Sequence, residues 1–350
     1  MIYYDVTKMG KARQRSGLTR VSSRIGEELG SLLTHVCWDA KTGGFTTEKG
    51  GAPVKFQPHD WLLTVELFSE AERPGFWKFL RQPPCRLAAI FPDAIPLQLP
   101  HLTWPHSVQR HPEYMKMLAS FDRVWGISET VRRDLTEFWR WQGVAVRAAT
   151  EVIELGADFD GSNRVHRDPI LGRARPAFLA VGIVEPRKNQ EFLLDVCEAL
   201  WAEGAKFKLD IVGRVNPHFG RPTVRRMHAL AKRNLEFAYH EAAGDRALLK
   251  LYSEARAVLC PTLAEGCGLP LLEALWRGVP AVASDLPVLR ENAEGGGCLL
   301  ATVNDAADWR AKLLAVLTDR DLVLRLQREA MARPLPKWAG TARTLRAALA

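Results

Sequence analysis

Short apolar runs of four to eight residues recur along this chain, and between them apolar residues return at steps of three and four. That alternation leaves few options: strands alternating with helices fold as α/β layers with mostly parallel sheets. In the first half the runs are Ile2–Val6, His35–Trp38, Trp61–Leu67, Arg86–Phe91, Arg123–Ile127 and Ala149–Ile153. Leu18, Val21, Ile25, Leu29 and Leu32 mark the buried stripe of a first helix. Ser128 stands where a hydroxyl caps a helix over Glu129–Trp141.

The stretch GSNRVHRDPILGRARP, residues 161–176, is polar, broken by Gly and Pro, and without periodicity, so it reads as an interdomain linker. Beyond it the alternation resumes. Strands are expected at AFLAVGIV from Ala177, at Phe207–Val212, Leu235–Tyr239, Ala257–Cys260 and Val279–Ala283. Helices are expected at Gln190–Trp201, Asp245–Ala255, Leu269–Trp276 and Asp305–Thr318. The sequence thus predicts two doubly wound α/β domains, over residues 1–160 and 177–335, facing across a cleft at the carboxyl ends of their strands. Residues 336–350 are expected to form a further helix packing back on the first half.

With 350 residues the chain is long enough for two such cores. It contains no apolar run of membrane-spanning length. MIYYDVTKMGKARQR shows no secretory leader pattern, so a cytoplasmic protein is expected. The six cysteines form no CxxC pair, which argues for free thiols rather than a zinc or dithiol motif. The net charge of +8 is spread too thinly to require a nucleic-acid partner. One local excess stands out. Lys8, Lys11, Arg13, Arg15, Arg20 and Arg24 face only Asp5 in the sequence, a cluster suited to phosphates or to an anionic membrane surface, or simply to solvent.

Two stretches carry chemistry. In Glu265-Gly266-Cys267-Gly268-Leu269-Pro270-Leu271-Leu272-Glu273, which follows the run VLCPT, two glycines precede a helix start. Backbone N–H groups there are free to approach an anion, and Pro270 suits the first helical turn. Glu265 precedes the helix and Glu273 lies further along it; both carboxylates are able to accept hydrogen bonds from hydroxyls. The second stretch, Val181-Gly182-Ile183-Val184-Glu185-Pro186-Arg187-Lys188-Asn189, ends a strand with two adjacent cations. Each has an ordinary reading as well, a strand–turn–helix and a solvated loop. Together, a helix start for phosphate, two cations for diphosphate and two carboxylates for hydroxyls describe a nucleotide-sugar site.

The frame EGCGLPLLEAL followed by GVPAVASDLPVLRE resembles the donor motif of the retaining glycosyltransferases of family 4, which have the GT-B fold of two Rossmann-like domains. VGIVEPRKN and DRALLKLYSEARAVLCPT resemble the same family's neighbouring segments, so the likeness spans Ala177–Leu300. YDVT, SGLTRV, FPDAIPLQLP and FDRVWGISETVRRDL resemble, less closely, the acceptor domains of its polysaccharide-assembling members. The resemblance implies that Glu265 contacts the donor sugar and that the backbone of Gly266, Cys267, Gly268 and Leu269 holds sugar and phosphate. Glu273 would bind ribose, Lys188 with Arg187 would neutralise the leaving diphosphate, and Gly17 would let the first domain approach phosphates and acceptor. Asp93 stands at the family's polar acceptor-side position.

The resemblance further implies transfer with retained configuration and no metal or other cofactor. The donor would be a nucleotide-diphosphate-sugar, GDP-mannose in the first instance. The acceptor would be a glycan or polyprenyl-linked glycan of a bacterial surface polysaccharide or lipopolysaccharide, with peripheral contact to the inner membrane face. Three departures mark this chain: Cys267 where Phe is usual, Ile183 where Arg is common, and Pro92 where related first domains carry His. Asp158-Phe159-Asp160 imitates a metal-binding DxD but falls where the family has Gly-x-Asp. Among eleven tryptophans, Trp38, Trp104, Trp125 and Trp276 are candidates for stacking on sugars, with Trp104 foremost on the acceptor side beside His101 and His106. Val215, Tyr239 and His240 are neighbours expected for the base. Two other classes stay open: a GT-B nucleotide-sugar epimerase and a non-catalytic partner subunit. No GxGxxG follows an expected strand, which argues against a nicotinamide enzyme.

Overall fold

A computed structural model describes residues 1–9, 17–49, 51–159, 161–164 and 176–350. The chain forms two compact domains, residues 1–156 with 336–350, and residues 157–335. Most of the expected linker lies outside the described residues, as do Lys11, Arg13, Arg15 and Asp160.

The first domain holds strands β1 (Ile2–Asp5), β2 (Leu33–Asp39), β3 (Gly44–Thr47), β4 (Trp61–Thr64), β5 (Arg86–Phe91), β6 (Arg123–Gly126) and β7 (Ala149–Val152). Among the described residues they form one sheet in the order β3-β2-β1-β4-β5-β6-β7. All pairs are parallel except β2 with β3, in which Trp38 faces Phe45. β5 is buried from Leu87 to Phe91, as a central parallel strand covered on both faces must be. Edge-on aromatic contacts fill the core: Trp38 with Phe76 at 5.1 Å and Phe68 with Tyr114 at 5.0 Å. Trp38 and Trp125 are therefore core residues rather than sugar-stacking ones. Ser128 caps the helix Glu129–Trp141, its Oγ accepting from the Val131 N–H at 3.1 Å.

The strand order reverses between β1 and β4. There the Arg73 guanidinium, 1% exposed, lies 2.6 Å from Asp5 Oδ2 and 2.8 Å from Glu66 Oε2. Glu66 Oε1 accepts from the backbone N–H groups of Lys8 and Met9 at 2.7 and 2.9 Å, fixing the chain as it leaves β1. Burial, with Asp5 nearby, pushes the Glu66 carboxyl up to about 7, against the pull of Arg73.

The C-terminal helix Trp338–Ala348 packs on the helix Gly17–Leu29. Trp338 is fully buried, and Thr341 Oγ1 donates to Glu154 O at 2.7 Å. Two described members of the early basic cluster have acidic partners. Lys8 pairs with Glu72 at 2.8 Å, and Arg24 pairs with Glu27 and Glu28. Among the described residues no helix is long and apolar enough to cross a membrane.

The second domain holds β8 (Ala177–Val181), β9 (Lys208–Val212), β10 (Phe237–His240), β11 (Ala255–Cys260), β12 (Ala281–Ser284) and β13 (Cys298–Ala301). Its sheet, all parallel, runs β10-β9-β8-β11-β12-β13. The helix Gln190–Ala202 packs Leu193, Leu194, Cys197 and Leu200 onto Phe178, Leu209 and Ile211. The expected strand at Leu235 starts two residues later, leaving Leu235 90% exposed. Arg164 closes the far side. Its guanidinium donates to Leu275 O, Trp276 O, Ala330 O and Arg333 O at 2.5–3.0 Å, at the carboxyl ends of the helices Leu269–Trp276 and Arg320–Ala332.

Candidate donor site in the second domain

The order of the second sheet reverses between β8 and β11, the place where open α/β sheets bind ligands beyond their strand ends. Both chemistry-bearing stretches leave the sheet here. From β8 the chain runs through Gly182 to a short turn over Pro186–Lys188. Asn189 then adopts a left-handed conformation at φ 58° and opens the helix Gln190–Ala202. Asparagine is among the few residues that accept this backbone, and its amide also holds the loop, donating to Pro261 O and Asn304 Oδ1. The neighbouring strand end permits the close fit, because a Cβ on Gly213 would stand 1.7 Å from Gly182 O.

From β11 the chain passes Pro261 and Thr262 to Glu265 and then Gly268, whose φ of 78° starts the helix Leu269–Trp276. The left-handed backbone favours glycine here, and a Cβ on Gly268 would also come within 2.6 Å of Leu289 Cδ2, so that side chain would have to shift. The two loops lock together through backbone and hydroxyl. Leu263 N–H donates to Arg187 O at 2.8 Å, and Thr262 Oγ1 donates to the same oxygen at 3.0 Å.

At the junction Lys188 Nζ lies 2.5 Å from Glu265 Oε1. Arg187 reaches Glu265 Oε2 at 3.5 Å, Ala264 O at 2.8 Å and Glu185 Oε1 at 2.6 Å. Asn216 holds the other Glu185 oxygen at 2.9 Å. Burial on its own would raise the Glu265 carboxyl, but Lys188 and Arg187 outweigh it and hold it below the usual carboxylate range. A pocket opens beside this junction, lined among others by Lys188, Gln190, Thr262, Glu265, Gly268 and Leu289. Two cations, a carboxylate and a helix start thus share one partly buried place. That set is able to hold a diphosphate and hydroxyls at once.

The remaining sequence candidates are placed as follows. Glu273 is 2% exposed and accepts from Tyr252 Oη at 2.9 Å, one turn inside the helix. Cys267 is buried, its carbonyl accepting from Asn292 Nδ2, and burial pushes its thiol up to about 12, a neutral wall rather than a nucleophile. Gly266 precedes it, Leu269 opens the helix Leu269–Trp276, and Trp276 is buried at that helix's end. Tyr239 Oη donates to Gly213 O, His240 Nε2 meets Asp210 Oδ1 at 2.8 Å, and Val215 bridges Val184. Asp158 and Phe159 are buried.

In the first domain Gly17 is the first described residue of the helix Gly17–Leu29, and among the described residues no atom lies within 4 Å of a Cβ placed there. Asp93 follows β5, its Oδ1 accepting from Ile95 N–H, while its carbonyl meets His111 Nε2 at 2.9 Å. Trp104 is 41% exposed with its ring 5.1 Å from that of His106. Glu185, Asn216, Thr262 and Tyr252 were not singled out from the sequence. Glu185 alone carried a signal there, as the acid beside the two cations.

Residues 175–319 match the family of group 1 glycosyl transferases. The second domain is a group 1 glycosyltransferase domain, and the fold of the chain is that of the GT-B glycosyltransferases. Among relatives, the serotype-specific mannosyltransferase WbdA of Escherichia coli is 27% identical over 325 residues, covering 83% of this chain and 39% of WbdA. The O-antigen chain mannosyltransferase B of Escherichia coli is 27% identical over 206 residues, covering 58% of this chain and 53% of the relative. The chain therefore spans about two fifths to half the length of these relatives. Among solved structures, Anabaena Alr3699/HepE in complex with UDP and glucose superposes with a TM-score of 0.70 at 14% identity, covering 99% of this chain and 98% of that one.

Proposed function

We propose that this protein is a retaining glycosyltransferase that moves a sugar, mannose in the first instance, from a nucleotide-diphosphate donor to a glycan or lipid-linked glycan of a surface polysaccharide. The observation that carries the reading is the meeting of Lys188, Arg187 and Glu265 with the helix start at Gly268, where the strand order of the second sheet reverses. The mannosyltransferase relatives support the choice of sugar, and GDP-mannose is the donor we infer.

Mechanism follows from charge. Cleaving the sugar–phosphate bond leaves negative charge on the diphosphate and positive character on the sugar. Lys188 and Arg187 are fixed beside that charge before reaction, and the N–H groups that open the helix Leu269–Trp276 add to their field. On donor binding Lys188 exchanges a carboxylate for a phosphate, freeing Glu265 to accept from sugar hydroxyls. Glu273, already held by Tyr252, would take the ribose hydroxyls. The leaving phosphate itself takes the acceptor proton, so no separate base is assigned, and two protein cations do what a metal ion does elsewhere. Asp93 and Trp104 are the acceptor-side residues in this reading, with Gly17 near the phosphates. The enzyme would work in the cytoplasm and meet its acceptor at the inner membrane face; co-sedimentation with anionic but not neutral vesicles tests the latter.

The direct test is a thermal-shift panel of nucleoside diphosphates and their sugars, with product analysis on a mannan-type acceptor. Stabilisation by one nucleotide class and retained anomeric configuration are expected. Stabilisation by none would overturn the reading, and an altered sugar released without acceptor would favour an epimerase.

A further inference from the structure

Gln190, the first residue of the helix Gln190–Ala202, is 5% exposed and lines the pocket beside Lys188 and Glu265. Its Nε2 donates to Ile183 O at 3.0 Å. A carbonyl oxygen only accepts, so the amide must face Ile183 with its nitrogen, and the orientation is determined by the network. Among the described residues the other end, Oε1, is buried without a hydrogen-bond partner. A buried amide oxygen left unpaired is costly, and proteins keep such groups mainly where something outside the chain completes them.

What completes it is restricted by chemistry. Oε1 is an acceptor, so its partner is a donor: a hydroxyl or an N–H. Phosphate oxygens, which Lys188 and Arg187 suit, are acceptors and are excluded. We infer that Gln190 Oε1 takes a hydroxyl of the transferred sugar, making Gln190 a specificity-determining residue of the donor site. This rests on the glycosyltransferase reading and adds to it a division of labour. The cations of the turn before the helix hold the diphosphate, and the amide at the helix start senses the sugar.

Titration calorimetry on the full chain and its Gln190→Met variant, which keeps length but removes both polar atoms, tests this. The probes are GDP, GDP-mannose and the monodeoxy-mannose analogues of GDP-mannose, with UDP and UDP-glucose in parallel. Gln190→Met is expected to bind the nucleotide sugar about tenfold more weakly and the nucleoside diphosphate unchanged. Wild-type protein should lose a similar factor for one deoxy analogue, and the variant should not distinguish that analogue from the parent. The wild-type arm reads out even if the variant folds poorly. Equal loss for diphosphate and sugar would overturn the inference in favour of ribose or of loop support. No loss with any ligand would mean that water satisfies the oxygen. Wild-type protein binding no nucleotide at all would overturn the glycosyltransferase reading itself.

Discussion

Lys188 and Glu265, separated by 77 positions in sequence, meet at 2.5 Å where the ends of β8 and β11 lie side by side. Without ligand each satisfies the other, with Arg187 and Glu185 completing the charge balance. The site is thereby built with its cations in place, and under the proposed function a diphosphate would enter by replacing a carboxylate rather than by ordering a loose side chain.

Replacing Lys188 by Ala should therefore remove transition-state stabilisation more than folding. A loss of about 10²- to 10³-fold in kcat is expected, with weaker binding of nucleoside diphosphate. Steady-state kinetics beside calorimetry with GDP and UDP checks it. Unchanged kcat would remove Lys188 from the leaving-group role.

Arg73 is predicted to be the costliest single loss in the first domain. Arg73→Met leaves Asp5 and Glu66 buried and facing one another without their shared cation. Breaking a buried pair in this way costs about 3–5 kcal/mol. Urea unfolding followed by tryptophan fluorescence measures it, and a loss below 1 kcal/mol would show that solvent reaches the cluster.

Gly213→Ala should press a methyl group into Gly182 O, a backbone atom that cannot swing aside. We expect at least about 2 kcal/mol of destabilisation, confined to the second domain, and impaired nucleotide binding, since the Lys188 turn leaves β8 at that point. Denaturation with and without nucleotide separates the two effects.

Acid should weaken the first domain through His111. Burial holds its imidazole below the ordinary histidine value of 6.5, so below that pH the unfolded chain takes up a proton that the folded domain resists. The stability it contributes is complete above about pH 7 and declines as pH falls from 6.5. His111→Gln keeps a donor for Asp93 O and should flatten the fall in melting temperature between pH 7.5 and 5.5. An unchanged slope would assign the acid sensitivity to other groups.

Much of the architecture was legible because its physical signals are local. Arg86–Phe91 was recognisable as a strand from apolar residues facing both ways, and the helix over Glu129–Trp141 from its Ser128 cap. The strand Gly44–Thr47 escaped notice because GFTT is short and half polar, and pairs only at the sheet edge. Arg187, Lys188 and Glu265 were separately visible, and the doubly wound order brings them together. Gln190 was not, because its significance lies in which end of an amide is left over, a property that exists only once Ile183 O has been placed. Trp38, Trp125 and Trp276 show the opposite limit: an indole has the same letter in a core as on a sugar platform.

The return of residues 336–350 to the first domain has a consequence for synthesis. The second domain is continuous in sequence and has all its parts once Leu335 leaves the ribosome. The first domain must wait for Trp338 to seat beside Gly156, where even a methyl group on the glycine would collide with it. The domain whose strands emerge first is thus finished after the second, and a chain cut after Leu335 would carry a complete second domain attached to an unsealed first one.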